Sequence, residues 1–281
     1  MANKGKMVIY QVLPRLYGNL TKKTKFDGSI KDNGCGKFAD FTEERLKQIV
    51  DLGATHIWYT GVLEHATQTE YKGIPKDHPA VVKGKAGSPY AVKDYYDVDP
   101  DLAVDVDNRM AEYEDLLARS HKAGLKVIMD FIPNHVARHY VSDAKPRGVK
   151  DLGADDIKDV RFYRDNNFYY LPNENFAGQG ELSEIKNSDG ELYTEFPCKV
   201  TGDDFYANNP GKYQWYETVK LNYGKDYTRG NYLDINPVPN TWEKMLQILL
   251  FWAKKKVDAF RCDMAEMVPL EFWEWAIKLV K

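Results

Sequence analysis

Long apolar runs alternate along the chain with segments in which apolar residues recur every three or four positions. The apolar runs predict four strands, at residues 7–13, 55–63, 125–135 and 257–264. Strands that are apolar on both faces are typical of parallel sheets covered by helices. The remaining periodic segments predict four helices, at residues 41–53, 107–124, 241–256 and 269–281. The pattern therefore predicts α/β architecture.

The alternation is interrupted between residues 136 and 239. This segment is rich in Asn, Gly, Asp and Tyr, so it is too aromatic for a disordered linker and too long for a loop in a compact domain. It predicts an inserted subdomain after the third strand.

Four strand–helix units are half of the eight that close a (β/α)8 TIM barrel, which takes about 250 residues without insertions. We therefore predict the N-terminal half of such a barrel, with an inserted subdomain after strand 3. In this division residues 1–135 hold barrel units 1–3 in part, residues 136–239 the insertion and residues 240–281 unit 4. The chain is expected to end before units 5–8.

The charge balance narrows the classes of ligand. Lys and Arg number 39 against 42 Asp and Glu, giving a net charge of -3 without long basic runs, which argues against nucleic acid or an acidic membrane surface as a partner. No run of about 18 apolar residues predicts a membrane span. The three cysteines, Cys35, Cys198 and Cys262, have no metal-type spacing. A neutral substrate fits this composition best.

The amino-terminal sequence MANKGKMVIYQ lacks the apolar core of a signal peptide. If this is the native start, the expected location is the cytoplasm. If a signal peptide was trimmed from an exported protein, the expected location is periplasmic or extracellular.

The fourth predicted strand lies in VDAFRCDMAEMVP, at residues 257–269, and carries two charges where core residues would be expected. Side chains alternate along a strand, so Arg261 and Asp263 share one face and Phe260 and Cys262 share the other. A buried ion pair adds little stability over apolar residues of the same volume. The pair is therefore either a structural ion pair or part of a functional site.

Four motifs occur in a fixed order: SPYAVKDYYDVDPDLA at 88–103, DFIPNH at 130–135, YLDINP at 232–237 and AFRCD at 259–263. Together they resemble the α-amylase superfamily of glycoside hydrolases, in particular its neopullulanase and cyclomaltodextrinase branches. An insertion after the third strand is also that family's layout. The resemblance implies a retaining α-glycosidase that acts on α-glucans such as starch or maltodextrin through an aspartyl glycosyl-enzyme intermediate.

The resemblance implies roles for five residues. Asp263 aligns with the nucleophile, and Arg261 is the adjacent cation that favours an ionised carboxylate. Asp130 corresponds to a residue that braces the arginine, His135 to one that hydrogen-bonds the sugar at the cleavage site, and Tyr90 to an aromatic platform under that sugar. The last three also have plainer explanations, namely a strand-end cap, a structural histidine and ordinary loop packing.

The family often holds a structural Ca²⁺, and the resemblance assigns Asn134 and Asp234 to it. The chain reads Glu266-Met267 where the family's amylases often read Lys-His, which removes one calcium-linked position. Calcium is the one cofactor expected, and no organic cofactor is implied.

Three classes of function remain open at this point. The first is a hydrolase or a transglycosylase of the family, with an oligo- or polysaccharide as substrate. The second is a non-catalytic glycan-binding or scaffold relative, which the retention of Asp263, Arg261 and His135 disfavours. The third is an unrelated α/β enzyme acting on phosphorylated substrates, and the absence of a Gly-rich phosphate loop argues against it.

A retaining site needs two carboxyl groups about 5–5.5 Å apart. The family places the acid/base glutamate on the fifth strand, which is expected beyond residue 281. Glu266 is three residues past Asp263 and out of phase with its strand face, and Glu181, Glu184 and Glu217 have no positional match. We therefore predict that residues 1–281 alone are inactive.

Overall fold

A computed structural model describes residues 5–281, and residues 1–4, which begin the segment used above to judge localisation, lie outside the described part. The helices are α1 (Pro14–Tyr17), α2 (Ile30–Asn33), α3 (Glu43–Asp51), α4 (Arg109–Lys122), α5 (Asn240–Lys254) and α6 (Leu270–Val280). The strands are β1 (Ile9–Val12), β2 (His56–Tyr59), β3 (Leu63–His65), β4 (Val92–Val98), β5 (Lys126–Phe131), β6 (His135–Ala137), β7 (Tyr170–Leu171), β8 (Cys198–Lys199), β9 (Thr218–Lys220), β10 (Lys225–Asp226), β11 (Tyr232–Leu233) and β12 (Ala259–Cys262).

Four strands form one parallel sheet in the order β1-β2-β5-β12. β2 pairs with β1 and β5, and β12 pairs with β5, in parallel throughout. Long helices follow these strands, which is the arrangement of consecutive units of a (β/α)8 barrel. The predicted α/β class is confirmed.

The long helices α3, α4, α5 and α6 overlap their predicted segments. The start of α3 has a simple local cause, because the Thr42 hydroxyl accepts a hydrogen bond from the backbone N–H of Arg45. Its end is followed by Gly53 at φ +90°, a conformation that glycine adopts readily. No helix within residues 5–281 is long and apolar enough to cross a membrane.

The two sides of the parallel sheet differ in polarity. On the helix side, Ile57, Val127 and Met129 are buried in the main core. The other side carries Trp58 and Arg261, both only partly buried, with the guanidinium carbon 5.1 Å from the indole ring centroid. The polar face of β12 thus points to the side where a barrel has its interior.

The structure differs from the prediction after β2. The run at 55–63 is predicted as one strand, but β2 ends at Tyr59 and the chain turns at Gly61, where φ is +72°. A Cβ at Gly61 would lie 2.7 Å from the Pro89 side chain, so glycine is required there. Beyond the turn, β3 pairs antiparallel with β4 outside the parallel sheet. Both strands are buried, so apolar character alone does not reveal the break.

The segment at 136–239 consists of short antiparallel pairs. Within the described chain, β6 pairs with β9, β7 with β8 and β10 with β11, and none of them joins the parallel sheet. Phe168 and Val219 extend the main core, whereas Leu171 and Val200 belong to a small separate cluster. The predicted subdomain limits stay a prediction, since β6 begins at His135 and pairs with a strand far along the insertion.

Candidate active site

The carboxyl ends of β5 and β12 bring three charged side chains together. Arg261 lies opposite Asp130 in the register of the two strands. Its Nη1 atom is 2.7 Å from Asp263 Oδ1 and 3.5 Å from Asp130 Oδ1. We call these three residues the strand-end cluster. Two carboxylates therefore flank one guanidinium at the face where barrel enzymes hold their active sites.

Burial sets the electrostatics of this cluster. Asp130 is 4% exposed and accepts a hydrogen bond of 3.2 Å from the Gly61 N–H. Burial raises the pKa of Asp130 to about 6, although the Gly61 N–H and Arg261 act to lower it. For Arg261, burial lowers the pKa, but Asp263 and Asp130 outweigh this and raise it above its ordinary value. The guanidinium is thus a permanent charge between the two acids.

Aromatic rings restrict the position of Arg261. Its guanidinium carbon lies 5.1 Å from the Trp58 ring centroid and 5.6 Å from that of Tyr90. Cation–π contacts at such distances are attractive. The arginine is therefore held by two rings as well as by two carboxylates.

A sharp turn follows Asp263. Met264 has φ +48° and ψ +41°, a left-handed conformation that is uncommon for residues other than glycine. Strained backbone of this kind clusters at functional sites. The turn leads into a short helical turn in which Glu266 is exposed and does not line the cavity described next.

Asp263 opens into a cavity of about 290 Å³, close to the lower end of the range for small-molecule sites. Its lining includes Tyr90, His135, Trp215, Glu217, Lys83 and Asp263. The structure thus brings three of the five site residues together on one cavity. The other two, Arg261 and Asp130, lie beside Asp263 in the strand-end cluster.

His135 presents one ring nitrogen as a donor. The ring is 3% exposed, and its Nδ1 lies 3.1 Å from the Asn134 amide nitrogen, which makes Nδ1 the acceptor and leaves the proton on Nε2. Burial, aided by Lys220 and Lys83, lowers the pKa of His135 to about 3. The imidazole is therefore neutral at pH 7. Its ring centroid lies 5.1 Å from that of Trp215.

Sequence reasoning does not identify one ion pair of the cavity. Lys83 Nζ lies 2.9 Å from Glu217 Oε1, and Glu217 is 3% exposed. Its other oxygen, Oε2, is buried with no hydrogen-bond partner among the described residues. The signal in sequence is weak, namely a lysine in a Gly-rich loop and a glutamate after two aromatic residues. The pair adds both signs of charge to the cavity.

The two residues assigned to calcium do not fit a shared Ca²⁺. The Asn134 side-chain oxygen accepts a hydrogen bond from the Lys220 ammonium, and its amide nitrogen donates to the Gly202 carbonyl at 2.8 Å. The Asp234 carboxylate is instead 3.6 Å from Arg164 and is 41% exposed. A lysine of the chain thus already satisfies the oxygen that calcium would need at Asn134.

A parallel sheet with an arginine and two carboxylates at its carboxyl ends, opening into a polar and aromatic cavity, defines part of a (β/α)8-barrel protein with a strand-end site. A family model described as "Alpha amylase, catalytic domain" matches residues 23–274. The chain belongs to the α-amylase family, and the resemblance seen in the four motifs is confirmed.

The similar curated proteins are much longer than this chain. Maltase 1 of Drosophila virilis is 25% identical over 260 residues, which cover 91% of this chain and 31% of the maltase. An amino acid transporter heavy chain of Mus musculus is 33% identical over 257 residues, covering 91% of this chain and 28% of the relative. The chain therefore spans less than a third of each of these two relatives.

Solved structures establish the fold. An α-amylase from Lactobacillus plantarum aligns with a TM-score of 0.52 at 25% identity, covering 98% of this chain and 42% of that chain. A maltogenic α-amylase from Thermotoga neapolitana has the same TM-score and coverage at 21% identity, which bears on the fold alone. The predicted partial (β/α)8 barrel is confirmed.

Proposed function

We propose that the chain supplies the nucleophile side of a retaining α-glycosidase site that acts on α-glucans. The observation that carries this proposal is Asp263, held 2.7 Å from Arg261 at the strand ends and lining the cavity that contains His135 and Tyr90. A retaining mechanism needs a carboxylate fixed at the point of attack on the sugar, and the Arg261 contact fixes Asp263 beside the cavity.

In this proposal an Asp263 oxygen attacks the anomeric carbon while the bond to the leaving oxygen breaks, which gives a glycosyl ester. Water or another sugar then accepts the glycosyl group and releases Asp263. Arg261 holds the nucleophile in position through the 2.7 Å contact, and Asp130 positions Arg261 from the other side. His135 Nε2–H donates to a sugar hydroxyl, and the Tyr90 ring packs against the sugar.

The general acid is proposed to lie outside residues 1–281. Glu217 is the other carboxylate of the cavity lining within the described residues, and its contact with Lys83 suits a hydrogen-bond acceptor for sugar hydroxyls better than an acid. Glu266 is exposed and does not line the cavity. We propose that four further strand–helix units complete the barrel and bring the second carboxyl group. An apolar groove beside β12, lined in part by Phe260 and Trp273, supports a further packing partner there.

The cation position of the family is proposed to be filled by the chain itself. Lys220 Nζ contacts the Asn134 oxygen and lies 2.8 Å from Asp204 Oδ1. An ammonium between these oxygens supplies positive charge without a metal ion.

A second candidate is a non-catalytic member of the family. The observation that favours it is the similarity to a protein named as an amino acid transporter heavy chain, which is not an enzyme name. In that case the cavity would bind glycan or serve as scaffold, and Asp263 would form no covalent bond.

The two candidates are separated by trapping the ester. A 5-fluoro-α-glucosyl fluoride needs no acid, because the C–F bond breaks with loss of fluoride as the carboxylate forms the ester. We expect mass spectrometry to find one added glycosyl unit on the peptide that contains Asp263. Asp263→Asn should remain unlabelled, and Asp51→Asn, at an exposed helix position, should be labelled normally. Absence of label on the wild-type chain, or label on another residue, would contradict the proposal.

A further inference from the structure

A second group of carboxylates lies away from the cavity. One oxygen from each of Glu64, Asp94, Asp97 and Asp143 lies within 4.8 Å of the others, and we call these four residues the hairpin cluster. Glu64, Asp94 and Asp97 are 2%, 0% and 2% exposed. The Asp143 side chain is 42% exposed, so the cluster has access to solvent on one side.

The antiparallel pair β3–β4 forces two of these acids together. Glu64 and Asp94 are cross-strand partners, at a point where the register of β3 shifts on both sides of Glu64. Like charges directly opposite each other destabilise a sheet. The cost of burying Asp94 is partly offset because its carboxylate accepts hydrogen bonds from the backbone N–H groups of Tyr96, at 2.7 Å, and Ala144, at 3.2 Å. Among residues 5–281, no comparable donor reaches the buried Glu64 Oε2 atom.

One arginine is the cation in ion-pair contact with the cluster within residues 5–281. Arg109 Nε lies 2.9 Å from Asp97 Oδ2, and Arg109 Nη2 lies 3.4 Å from Asp143 Oδ2. Lys93, the neighbour of Asp94 in β4, directs its ammonium to Asp77 at 3.1 Å instead. Among residues 5–281, Arg109 thus contacts two of the four carboxylates, and the Lys93 charge acts on Glu64 only from a distance.

Glu64 is the member that the protein leaves without a partner. Its Oε2 atom is buried and has no hydrogen-bond partner among the described residues. Burial, followed by the charges of Asp94, Asp143 and Asp97, raises the pKa of Glu64 to about 9. A buried carboxylate among other acids requires either a proton or a cation.

We propose that Glu64, Asp94, Asp97 and Asp143 bind a calcium ion. Two oxygens on one Ca²⁺ can lie up to about twice the bond length of 2.3–2.6 Å apart, and four oxygens within 4.8 Å of one another are compatible with this span. Mg²⁺ requires shorter bonds of about 2.0–2.1 Å in near-ideal octahedral geometry, whereas Ca²⁺ accepts flexible geometries. Carboxylate oxygens are the ligands that hard cations prefer. The site shares no residue with Asn134 and Asp234.

The ion would join three segments of the chain. Glu64 lies in β3, Asp94 and Asp97 lie in β4, and Asp143 follows β6 at the start of the insertion. A calcium ion would remove the repulsion between the facing acids and would tie the β3–β4 pair to the insertion. Its expected role is structural, at a distance from the cavity that Asp263 lines.

The test uses the 281-residue chain after removal of bound metal with a chelator. We expect calorimetric titration with CaCl2 to show one saturable site, and thermal unfolding to shift to higher temperature with CaCl2. MgCl2 should bind at least about tenfold more weakly. Glu64→Gln keeps the size of the side chain and should weaken calcium binding at least about tenfold. Asp143→Asn, at a partly exposed position, should weaken calcium binding as well. It tests the proposal even if Glu64→Gln does not fold.

Two matched variants show where the ion binds. Asp234→Asn changes the family's expected position and should leave calcium binding unchanged. Glu43→Gln changes an exposed acid of α3 and should also leave it unchanged. Absence of saturable calcium binding to the wild-type chain would overturn the proposal and leave a proton on Glu64 as the compensating charge. Equal calcium affinity in wild type, Glu64→Gln and Asp143→Asn would overturn it too, as would loss of binding in Asp234→Asn alone.

Discussion

The strand-end cluster and the hairpin cluster both place an arginine among buried acids. They differ in the share of those acids that the arginine contacts. Arg261 contacts both acids of the strand-end cluster, Asp130 and Asp263. Arg109 contacts two of the four acids of the hairpin cluster and leaves Glu64 without a partner. In the first cluster Arg261 contacts every acid, whereas the second cluster needs a further positive charge from a bound ion or a proton.

The clusters also differ in what they face. Asp263 is 9% exposed and lines a cavity with aromatic residues, where a neutral ligand can pack. The hairpin cluster faces solvent through Asp143 and offers carboxylate oxygens to a ligand. The ratio of acids to cations, together with the cavity lining, therefore distinguishes the proposed covalent site from the proposed ion site.

The largest expected effect is the inactivity of the chain by itself. If the strand-end cluster is half of a catalytic pair, residues 1–281 should release no reducing sugar from maltotriose above the uncatalysed rate, a loss of at least about 10⁶-fold relative to a complete enzyme. A reducing-sugar assay checks this. Turnover at enzymatic rates that disappears in Asp263→Asn would contradict it and would point to Glu217 as the acid.

A smaller loss of activity is expected for Asp263→Asn in the complete protein. Removal of the nucleophile of a covalent mechanism should lower kcat by at least about 10³-fold. The amide keeps the size of the side chain, so thermal unfolding should change little. Asp51→Asn serves as the exposed control. Near-normal hydrolysis by Asp263→Asn would leave the strand-end cluster as a structural ion pair.

Asp130→Asn tests how far the buried, ionised Asp130 lowers the free energy of unfolding. Folding raises the pKa of Asp130 from its ordinary value of 3.8 to about 6, so the folded protein binds this proton more tightly than the unfolded chain does. The resulting stabilisation is complete below pH 3.8 and is lost as the pH rises through 6. At pH 7 the ionised carboxylate then costs up to about 3 kcal/mol. The variant should be more stable than wild type at pH 7 by up to this amount, because the raised pKa already includes the attraction of Arg261.

Urea unfolding at pH 7 and at pH 4 measures this difference. Because the cost arises from ionisation, the advantage of Asp130→Asn should shrink as the pH is lowered to 4. Asp51→Asn, at an exposed position, serves as the control for the loss of one carboxylate. An advantage of the same size at both pH values would mean that packing, and not charge, explains it.

The smallest effect is expected at the rim of the cavity. Lys83→Met removes a partly exposed ammonium and leaves Glu217 unpaired. We expect KM for a maltooligosaccharide to rise about tenfold in the complete protein, since a hydrogen bond to a charged group is worth about 1.5–3 kcal/mol. The value of kcat should change much less. A matched Glu217→Gln variant should act in the same direction, and a fall in kcat with constant KM would assign the pair to the chemical step.

Much of the fold could be predicted because its signals are local. Thr42 and Gly53 bound α3 through contacts within a few residues, and apolar runs identify β5 and β12 whatever lies around them. The break at Gly61 could not be predicted, because it depends on Pro89, which is distant in sequence and packs against it. The periodic pattern of apolar residues indicates which side chains are buried, but it does not indicate which strand a segment pairs with.

The sequence by itself determined the strand-end cluster in outline. Arg261 and Asp263 are two residues apart on one strand face, and the motifs added Asp130 to the cluster and His135 and Tyr90 to the cavity beside it. Only the tertiary structure decided which charges meet elsewhere, as Lys220 reaches Asn134, Lys83 reaches Glu217, and Glu64 faces Asp94 without a partner. The reason is physical: the effect of a buried charge depends on the few ångströms to the nearest opposite charge, and folding sets that distance between residues far apart in the chain.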